Sequence, residues 1–303
     1  MQVPFCDRQI ELNGQYLTDT LRDCNGLLDD LPALRQRLAD DGYLLIRQLH
    51  DQDVVLQARR SILEQMASQG SLEQDGDLMA GRVKPGTKHP RLLGNRVVTH
   101  CEQVKAVLES PRVYEIFARL FGGDVVTFDY KWLRSTGTNQ FTGAHFDMVY
   151  MGRGSKRLHT CWTPFGDIDI QQGPLALCVG SHKLEGFERV RNTYGQMDVD
   201  RDLIRPEQPF STDPIEIVDK FGGQWQTTRF KAGDVIVFGM FTMHASLNNT
   251  TDRWRLSCDT RFQPADDPID ERWMGDNPIA HYASATQATK HVSMEDARRR
   301  WGI

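Results

Sequence analysis

Residues 253–262 alternate between polar and mostly apolar side chains, and this pattern constrains the fold more than any other feature of the chain. Successive side chains of a β-strand point to opposite faces, so one face of this segment is polar and the other is mostly apolar. A barrel strand that lines a polar cavity has this pattern. The polar positions are Arg253, Arg255, Ser257, Asp259 and Arg261. The segment therefore predicts a strand beside a polar cavity.

This segment is the last of a series of short strand-like runs that begins near residue 125. Turn-forming residues such as Gly233-Asp234 separate runs that are rich in apolar side chains. The predicted strands are 125–133, 144–150, 157–164, 174–179, 234–239, 243–248 and 254–263, and one more strand is needed within 183–231. The series predicts a core that is mainly β.

Helices are predicted on both sides of this core. Two N-terminal helices are predicted at Pro32–Ala39, with Asp30 as a cap, and at Asp51–Ser68. A third begins at Ser110-Pro111, and a last one begins at Ser293 in a Ser-x-x-Asp capping box. Because the chain has no internal repeat and no low-complexity linker, we predict a single domain over residues 1–303. Its parts are a helical N-terminal part over about 1–123, a β core over about 124–264, a lid-like insert over about 183–231 and a helical tail over about 265–303.

A histidine, a carboxylate and a distant histidine form a candidate metal site. His145 and Asp147 are two residues apart in the predicted strand 144–150, so their side chains would share one face. His244 follows an apolar strand-like run and would supply a second imidazole. Two nitrogens and one oxygen on one side of a metal suit non-haem Fe(II), which then has open positions for O2 and a bidentate co-substrate. His182 is a rival third ligand, but it ends an apolar run and is more typical of a turn.

An arginine downstream of the candidate ligands indicates the co-substrate. Arg255 supplies a fixed cation for a carboxylate tail, which suggests an oxygenase that uses 2-oxoglutarate. Ser246 lies two residues after His244 and would share its cavity. Arg253 and Arg261 lie on the same strand face as Arg255 and remain alternative carboxylate anchors.

Taken together, these motifs resemble the phytanoyl-CoA dioxygenase family. The matching segments are His145-x-Asp147, Trp162-Thr163-Pro164-Phe165-Gly166-Asp167, Gly173-Pro174-Leu175, Gly180-Ser181-His182, and His244-x-Ser246 followed by Arg255. The resemblance covers roughly residues 127–264 in order, and the combination is more specific than any single motif. It implies a mainly β fold with flanking helices and a double-stranded β-helix core of the jelly-roll, cupin-like type. It also implies a hydroxylase that uses Fe(II), 2-oxoglutarate and O2.

The resemblance also implies roles for individual residues. By position, His145, Asp147 and His244 correspond to the iron ligands, and Arg255 pairs with the distal carboxylate of 2-oxoglutarate with help from Ser246. Trp162 corresponds to a tryptophan beside the co-substrate. Where many relatives have a lysine upstream of the first ligand, this chain offers Arg134 or Lys131. Relatives that halogenate replace the carboxylate ligand with a small residue, so Asp147 favours hydroxylation.

Composition narrows the class of protein. The 303 residues carry a formal net charge of −5, whereas a basic domain or stripe is typical of nucleic-acid binding. The N-terminus lacks a basic n-region and an apolar h-region, and no run approaches the ~18 apolar residues of a membrane span. The six cysteines lack C-x-x-C spacing, which favours free thiols over a zinc site or disulfides. We therefore predict a cytoplasmic enzyme with a small-molecule substrate and no nucleic-acid or membrane partner; the sequence carries no signal for an oligomeric state.

The predicted reaction is hydroxylation of an unactivated C–H bond of a small molecule, with release of succinate and CO2. The segment 78–101 contains basic residues and no acidic one, which would attract an anionic substrate. Its basic residues are Arg82, Lys84, Lys88, Arg91 and Arg96. A solvated basic loop is an equally consistent interpretation. A protein or peptide side-chain hydroxylase of the same chemistry, or a cupin-like metalloenzyme that does not use 2-oxoglutarate, are the alternative functions.

Overall fold

Two facing β-sheets, a separate two-stranded sheet and flanking helices make up the computed structural model, which describes residues 1–73, 76–87, 89–204, 208–281 and 291–303. The strands are β1 (Gln2–Phe5), β2 (Arg8–Glu11), β3 (Leu17–Thr18), β4 (Tyr43–Ile46), β5 (Val125–Thr127), β6 (Trp132–Thr136), β7 (His159–Pro164), β8 (Leu175–Val179), β9 (Gln224–Gln226), β10 (Val235–Gly239), β11 (His244–Ser246) and β12 (Arg255–Pro264). The helices are α1 (Leu31–Asp41), α2 (Gln52–Ser68), α3 (Arg96–Thr99), α4 (Glu102–Leu108), α5 (Pro111–Phe121), α6 (Met148–Met151), α7 (Glu188–Asn192), α8 (Pro214–Phe221) and α9 (Met294–Trp301).

The two sheets have the arrangement of a double-stranded β-helix. The major sheet has the order β4-β10-β7-β12-β5, with β6 also paired to β12, and its neighbours are all antiparallel. The minor sheet has the order β11-β8-β9-β3. Apolar side chains fill the space between them, with Trp162 and Ile236 from the major sheet against Leu175 and Leu177 from the minor one. The fold is therefore mainly β with flanking helices, as predicted, and the sheets do not close into a continuous barrel.

The register of β12 places its polar side chains on the face that looks toward the minor sheet. Directly opposed residues of antiparallel strands share a face. Asp259 lies opposite Trp162, which packs between the sheets, and Arg255 lies opposite Thr136 of β6. The alternate residues Leu256 and Cys258 pack into the cluster under α2 and α4. The alternation predicted for this strand is confirmed.

Helices cover the outer face of the major sheet. Leu34 of α1 and Phe117 of α5 pack on strand residues such as Val237, and α5 also packs on Phe262 of β12. These helices begin where the caps predict, because Asp30 accepts a hydrogen bond from the Ala33 N–H, and Ser110 accepts one from Val113. Helix α9 begins in the same way at Ser293, whose Oγ accepts from the Asp296 N–H at 3.1 Å.

One predicted strand is wrong, and another is divided into two strands. The run 144–150 is not a strand, because the chain makes single bridges at Ala144 and His145 and then turns into α6, with Asp147 already in the helical region at φ −66° and ψ −25°. This turn buries Met148 and Met151, and the Met148 N–H bonds to the Met240 carbonyl. The run 125–133 is split into β5 and β6, which both pair with β12. The Phe128 N–H still bonds to Arg261 of β12, but the Tyr130 N–H leaves this pairing and bonds to the Trp273 carbonyl.

The insert supplies the additional strand that the sequence requires, β9, together with α7 and α8. Its residues Trp225 and Tyr194 pack with Ala245 and Phe146 in one large cluster on the outer face of the minor sheet. Residues 205–207 of the insert, residues 282–290 of the tail and Lys88 lie outside the described residues. A lid role for the insert stays a prediction.

Two further predictions concern thiols and membranes. The six cysteines are free, as predicted. None of the helices in the described ranges is both long and apolar enough to span a membrane.

A buried histidine makes stability depend on pH. Burial, with a smaller contribution from Arg112, lowers the pKa of His50 to about 4, whereas an unfolded histidine titrates near 6.5. Below pH 6.5 the unfolded chain therefore binds a proton that the folded chain does not, so stability falls as the pH falls. We expect the free energy of unfolding to decrease between pH 7 and pH 5 by roughly 2 kcal/mol more in the wild type than in His50→Gln. Urea unfolding of both proteins at the two pH values measures this, and equal decreases would contradict it.

Candidate metal centre

The structure brings His145, Asp147 and His244 together. Each of the three offers one ligand atom, and these atoms all lie within 4.8 Å of one another. The Nε2 atoms of His145 and His244 are both 3.8 Å from Asp147 Oδ1. All three side chains are buried between the two sheets. Three donors at this spacing around one point can hold a single metal ion.

Backbone pairing sets the position of the two imidazoles. The His145 N–H donates to the His244 carbonyl at 3.0 Å, and the His244 N–H donates back at 3.1 Å. The two residues are therefore directly opposite each other, and their ring centroids are 4.1 Å apart. His244 begins β11, whereas Asp147 reaches the same point because the chain turns into α6 two residues after His145.

Hydrogen bonds to the backbone fix the tautomers of both histidines. His145 Nδ1 is 2.8 Å from the Gly143 carbonyl, and His244 Nδ1 is 3.0 Å from the Thr242 carbonyl. Because a carbonyl can only accept, each Nδ1 must carry the hydrogen, which leaves the Nε2 lone pair for a metal. Burial, together with the neighbouring His244, lowers the pKa of His145 to about 3. His145 is therefore neutral at neutral pH, as a metal ligand must be.

The second oxygen of Asp147 is held by two donors. Asp147 Oδ2 accepts a hydrogen bond from Thr160 Oγ1 at 2.5 Å and lies 3.1 Å from Arg261 Nη2. Burial alone would raise the pKa of Asp147, but Arg261, the two imidazoles and Thr160 hold it below its usual range. Asp147 is thus an anion whose Oδ1 faces the two imidazoles.

This donor set fits iron. Two neutral imidazoles and one carboxylate on one side of an ion are the ligands of non-haem Fe(II) oxygenases. Within the described ranges, these three side chains are the one group of His, Cys, Asp or Glu with metal-binding spacing. The rival His182 lies away from them, with its Nε2 donating to the Ala39 carbonyl at 2.9 Å.

Arg255 is a buried cation that has no anionic partner in the part of the chain that the structure describes. Its side chain donates to Ser257 Oγ at 2.8 Å and to Thr136 Oγ1 at 2.6 Å, while its Nε has no hydrogen-bond partner. No carboxylate of the described residues lies within ion-pair distance of it. Burial, and then the nearby Arg134, lowers the pKa of Arg255 to about 10, so it is still charged at neutral pH. A buried cation without a counter-ion is costly, so this position is suited to an incoming carboxylate such as that of 2-oxoglutarate.

The other two arginines of β12 and its flank are already paired. Arg261 binds Asp147, and Arg253 is half-exposed beside Asp252. Of the three candidates, Arg255 alone is buried without an anionic partner among the described residues. Ser246 lies two residues after His244 on the same face of β11, and its Oγ accepts from the Thr142 N–H at 2.9 Å.

Of the three remaining residues predicted to contact the co-substrate, two lie on the inner side of the major sheet and one does not. Trp162 packs between the sheets with its ring 4.8 Å from that of Phe230. Arg134 lies on the inner face of β6 and donates to Asp259 Oδ2 at 2.8 Å. Lys131 is not brought to the site, because its ammonium group bonds to the Phe128 carbonyl and to Glu109 on the other side of the strand. The geometry leaves Arg134 as the candidate at this position.

Several residues around the ligands escaped sequence reasoning. Thr160 lies on β7 directly opposite Arg261, and only the pairing of β7 with β12 reveals that both meet Asp147. Tyr150, with its ring 5.7 Å from that of His145, was hidden by the wrong strand prediction. Trp132 lies beneath the Arg261 guanidinium at 4.8 Å. The sequence alone does not show that Thr160 faces Arg261, because the register of β7 against β12 cannot be read from it.

A cavity of about 500 Å³ opens along β6 beside this cluster. It is lined by residues 89–93, 133–136 and 140–142, which include Arg91 and Arg134 and no acidic residue. Thr136 and Thr142, which bond to Arg255 and Ser246, lie in its wall. The cavity therefore extends from the basic loop to the residues that bond to Arg255 and Ser246.

Comparisons with known proteins agree with this geometry. Residues 38–257 match the family model described as phytanoyl-CoA dioxygenase. The 1-deoxypentalenic acid 11-beta-hydroxylases of Streptomyces exfoliatus and Streptomyces arenae are 26% and 27% identical over 273 residues, which cover 82% of this chain and 88% of each relative. Among solved structures, the non-haem α-ketoglutarate-dependent epimerase SnoN from nogalamycin biosynthesis shares the fold with a TM-score of 0.55 at 17% identity, over 87% of this chain and 93% of that one. The carbocyclase SnoK from the same biosynthesis has a TM-score of 0.54 at 17% identity, over 82% of this chain and 89% of that one.

Removal of a proposed ligand tests the centre. We expect His244→Ala and Asp147→Ala to weaken Fe(II) binding by at least about 100-fold, more than the loss of a supporting contact costs. His182→Ala is the matched control and should bind Fe(II) as the wild type does. Anaerobic calorimetric titration with Fe(II) measures all three variants. Equal losses in His182→Ala and His244→Ala would contradict the assignment.

Proposed function

Because the chain belongs to the phytanoyl-CoA dioxygenase family and is a non-haem Fe(II)- and 2-oxoglutarate-dependent oxygenase, we propose that it hydroxylates an unactivated C–H bond of a small, anionic molecule. The observation that carries the proposal is Arg255, a buried cation without an anionic partner among the described residues, in a chain that also brings three metal donors together. A site that only bound a metal would have no need of such a cation.

Different residues would bind iron and its co-substrate. His145 and His244 would bind iron through Nε2 and Asp147 through Oδ1, while Arg255 and Ser246 would hold the far carboxylate of 2-oxoglutarate. Iron and 2-oxoglutarate, once bound, supply the oxidising chemistry, in which O2 and 2-oxoglutarate give succinate and CO2 and one oxygen atom enters the substrate C–H bond. The side chains of Ser257 and Thr136 orient Arg255, so little reorganisation accompanies binding.

Asp147 also bears on the type of reaction. A carboxylate at this position occupies the place where a small residue would leave room for a halide ion. Hydroxylation is therefore favoured over halogenation. The bonds from Thr160 and Arg261 to Asp147 keep that carboxylate in place and ionised.

The cavity beside β6 supports an anionic substrate. Arg91 and Arg134 line it, and no acidic residue does. Within the described residues, Arg134 uses only its Nε in a hydrogen bond, to Asp259, which leaves its other N–H groups for a ligand. The two hydroxylase relatives act on a carboxylic acid, 1-deoxypentalenic acid. We propose that the substrate of this enzyme likewise carries a carboxylate or a similar anion.

Arg255 provides the sharpest test of the co-substrate site. We expect Arg255→Ala to weaken 2-oxoglutarate binding by at least about 30-fold, because truncating one partner of a buried charge pair costs about 2 kcal/mol or more. Arg253→Ala removes a surface arginine two residues away and should leave binding unchanged. Anaerobic titration of the Fe(II) protein, followed by the charge-transfer absorption of the 2-oxoglutarate complex, measures both. The assignment fails if Arg253→Ala loses more affinity than Arg255→Ala.

The charge of the substrate is tested with matched pairs of compounds. In a panel of small carboxylic acids and their methyl esters, we expect only acids to stimulate succinate formation. Arg91→Gln should raise the KM for a stimulating acid by about twofold to fivefold. This increase in KM should be smaller at high salt, because Arg91 is exposed and its charge is screened by ions. Arg82→Gln is the control in the same basic segment, because Arg82 pairs with Asp252. Stimulation by the esters alone would overturn the proposal of an anionic substrate.

A further inference from the structure

Arg261 is a buried arginine in direct contact with a proposed iron ligand. Its side chain is 1% exposed, and its Nη2 lies 3.1 Å from Asp147 Oδ2. Its Nε contacts Met151 Sδ at 3.0 Å, and its guanidinium carbon lies 4.8 Å above the ring of Trp132. The side chain is thus held from three directions. Its Nη1 has no hydrogen-bond partner among the described residues.

The two carboxylate oxygens of Asp147 have different contacts. Oδ2 faces Thr160 and Arg261, whereas Oδ1 faces the Nε2 atoms of His145 and His244 at 3.8 Å each. A carboxylate oxygen has about two lone pairs in its plane, and two donors occupy those of Oδ2. Only Oδ1 is left to bind a metal. A carboxylate that used both oxygens would take a coordination position that the co-substrates need.

The charge of Arg261 has a second effect on the centre. A fixed cation next to a ligand repels Fe(III) more strongly than Fe(II), because the energy scales with the product of the charges. Burial leaves this repulsion poorly screened. The nearest anion apart from Asp147 is Asp259, at 3.8 Å, and Asp259 also pairs with Arg134. Asp259 is thus shared between two arginines, and the main counter-charge of Arg261 is the proposed ligand Asp147 itself.

We propose that Arg261 is a positioning residue of the metal centre: with Thr160 it confines Asp147 to binding iron through a single oxygen, and its charge favours the ferrous over the ferric ion. The proposal rests on the proposed function in one respect, since Asp147 must be an iron ligand. It goes further, because the proposed function assigns Arg261 no effect on the oxidation state of the metal.

The redox behaviour of the Fe(II) protein tests the proposal. We expect Arg261→Gln, which keeps a hydrogen-bond donor but loses the charge, to lower the Fe(III)/Fe(II) midpoint potential. Its ferrous form should be oxidised in air, without 2-oxoglutarate, at least about tenfold faster than the wild type. Arg261→Lys keeps the charge and should retain a potential near that of the wild type. Thr160→Val removes the other donor without changing charge, and should weaken Fe(II) binding about 10- to 100-fold.

A matched control separates these effects from general damage. Arg59 is a buried arginine of α2 that donates only to the carbonyls of Phe165 and Met79, so Arg59→Gln should alter stability and leave the potential unchanged. A wild-type potential and oxidation rate in Arg261→Gln would overturn the proposal. If Arg261→Gln does not fold, a strongly lowered potential in Arg261→Lys, or wild-type iron affinity in Thr160→Val, would overturn it. Absence of Fe(II) binding by the wild type would instead overturn the proposed function.

Discussion

The reciprocal pair of backbone hydrogen bonds between His145 and His244 is the contact on which the rest of the site depends. It joins the segment before α6 to the minor sheet and sets the two imidazoles 4.1 Å apart. The next turn of the chain then brings Asp147 between them and under Arg261 of the major sheet. The three candidate ligands thus lie where polar side chains meet between the two sheets, while apolar side chains such as Trp162 and Leu177 fill the space between the sheets elsewhere.

Charges on the inner face of the major sheet follow one another with alternating sign. Arg134 binds Asp259, Asp259 lies near Arg261, and Arg261 binds Asp147. Each buried charge therefore has a partner of opposite sign, which low-dielectric surroundings require. Arg255 continues the row without a partner among the described residues, next to Arg134. An anion at Arg255, which we propose to be the far carboxylate of 2-oxoglutarate, would give this last cation a partner of opposite sign as well.

Local patterns in the sequence predict those features that neighbouring residues determine, such as strand alternation and helix caps. The polar alternation of β12 and the caps at Asp30, Ser110 and Ser293 follow from side-chain periodicity and capping motifs. The grouping of His145, Asp147 and His244 follows from motif spacing, although Asp147 reaches the site through the turn into α6 and not along a strand. Pairing between distant strands does not leave such a signal. The contact of Thr160 and Arg261 with Asp147, and the placement of Lys131 toward Glu109, are fixed by register and by loop hydrogen bonds. The strand predicted at 144–150 failed because a tertiary bond from Met148 to Met240 favours a helical turn there over an extended one.

The position of β4 at the edge of the major sheet has a consequence for how the protein folds. Val235 of β10 pairs with Ile46 of β4, and these residues are about 190 positions apart in the chain, so the contact has a very high contact order. Closing such a long loop costs entropy before any sheet contact compensates for it. During synthesis on the ribosome, the apolar strand β4 must wait for most of the chain to emerge before its partner exists. Helices α1 and α5, which pack together on the same cluster, can form earlier and shield it in the meantime.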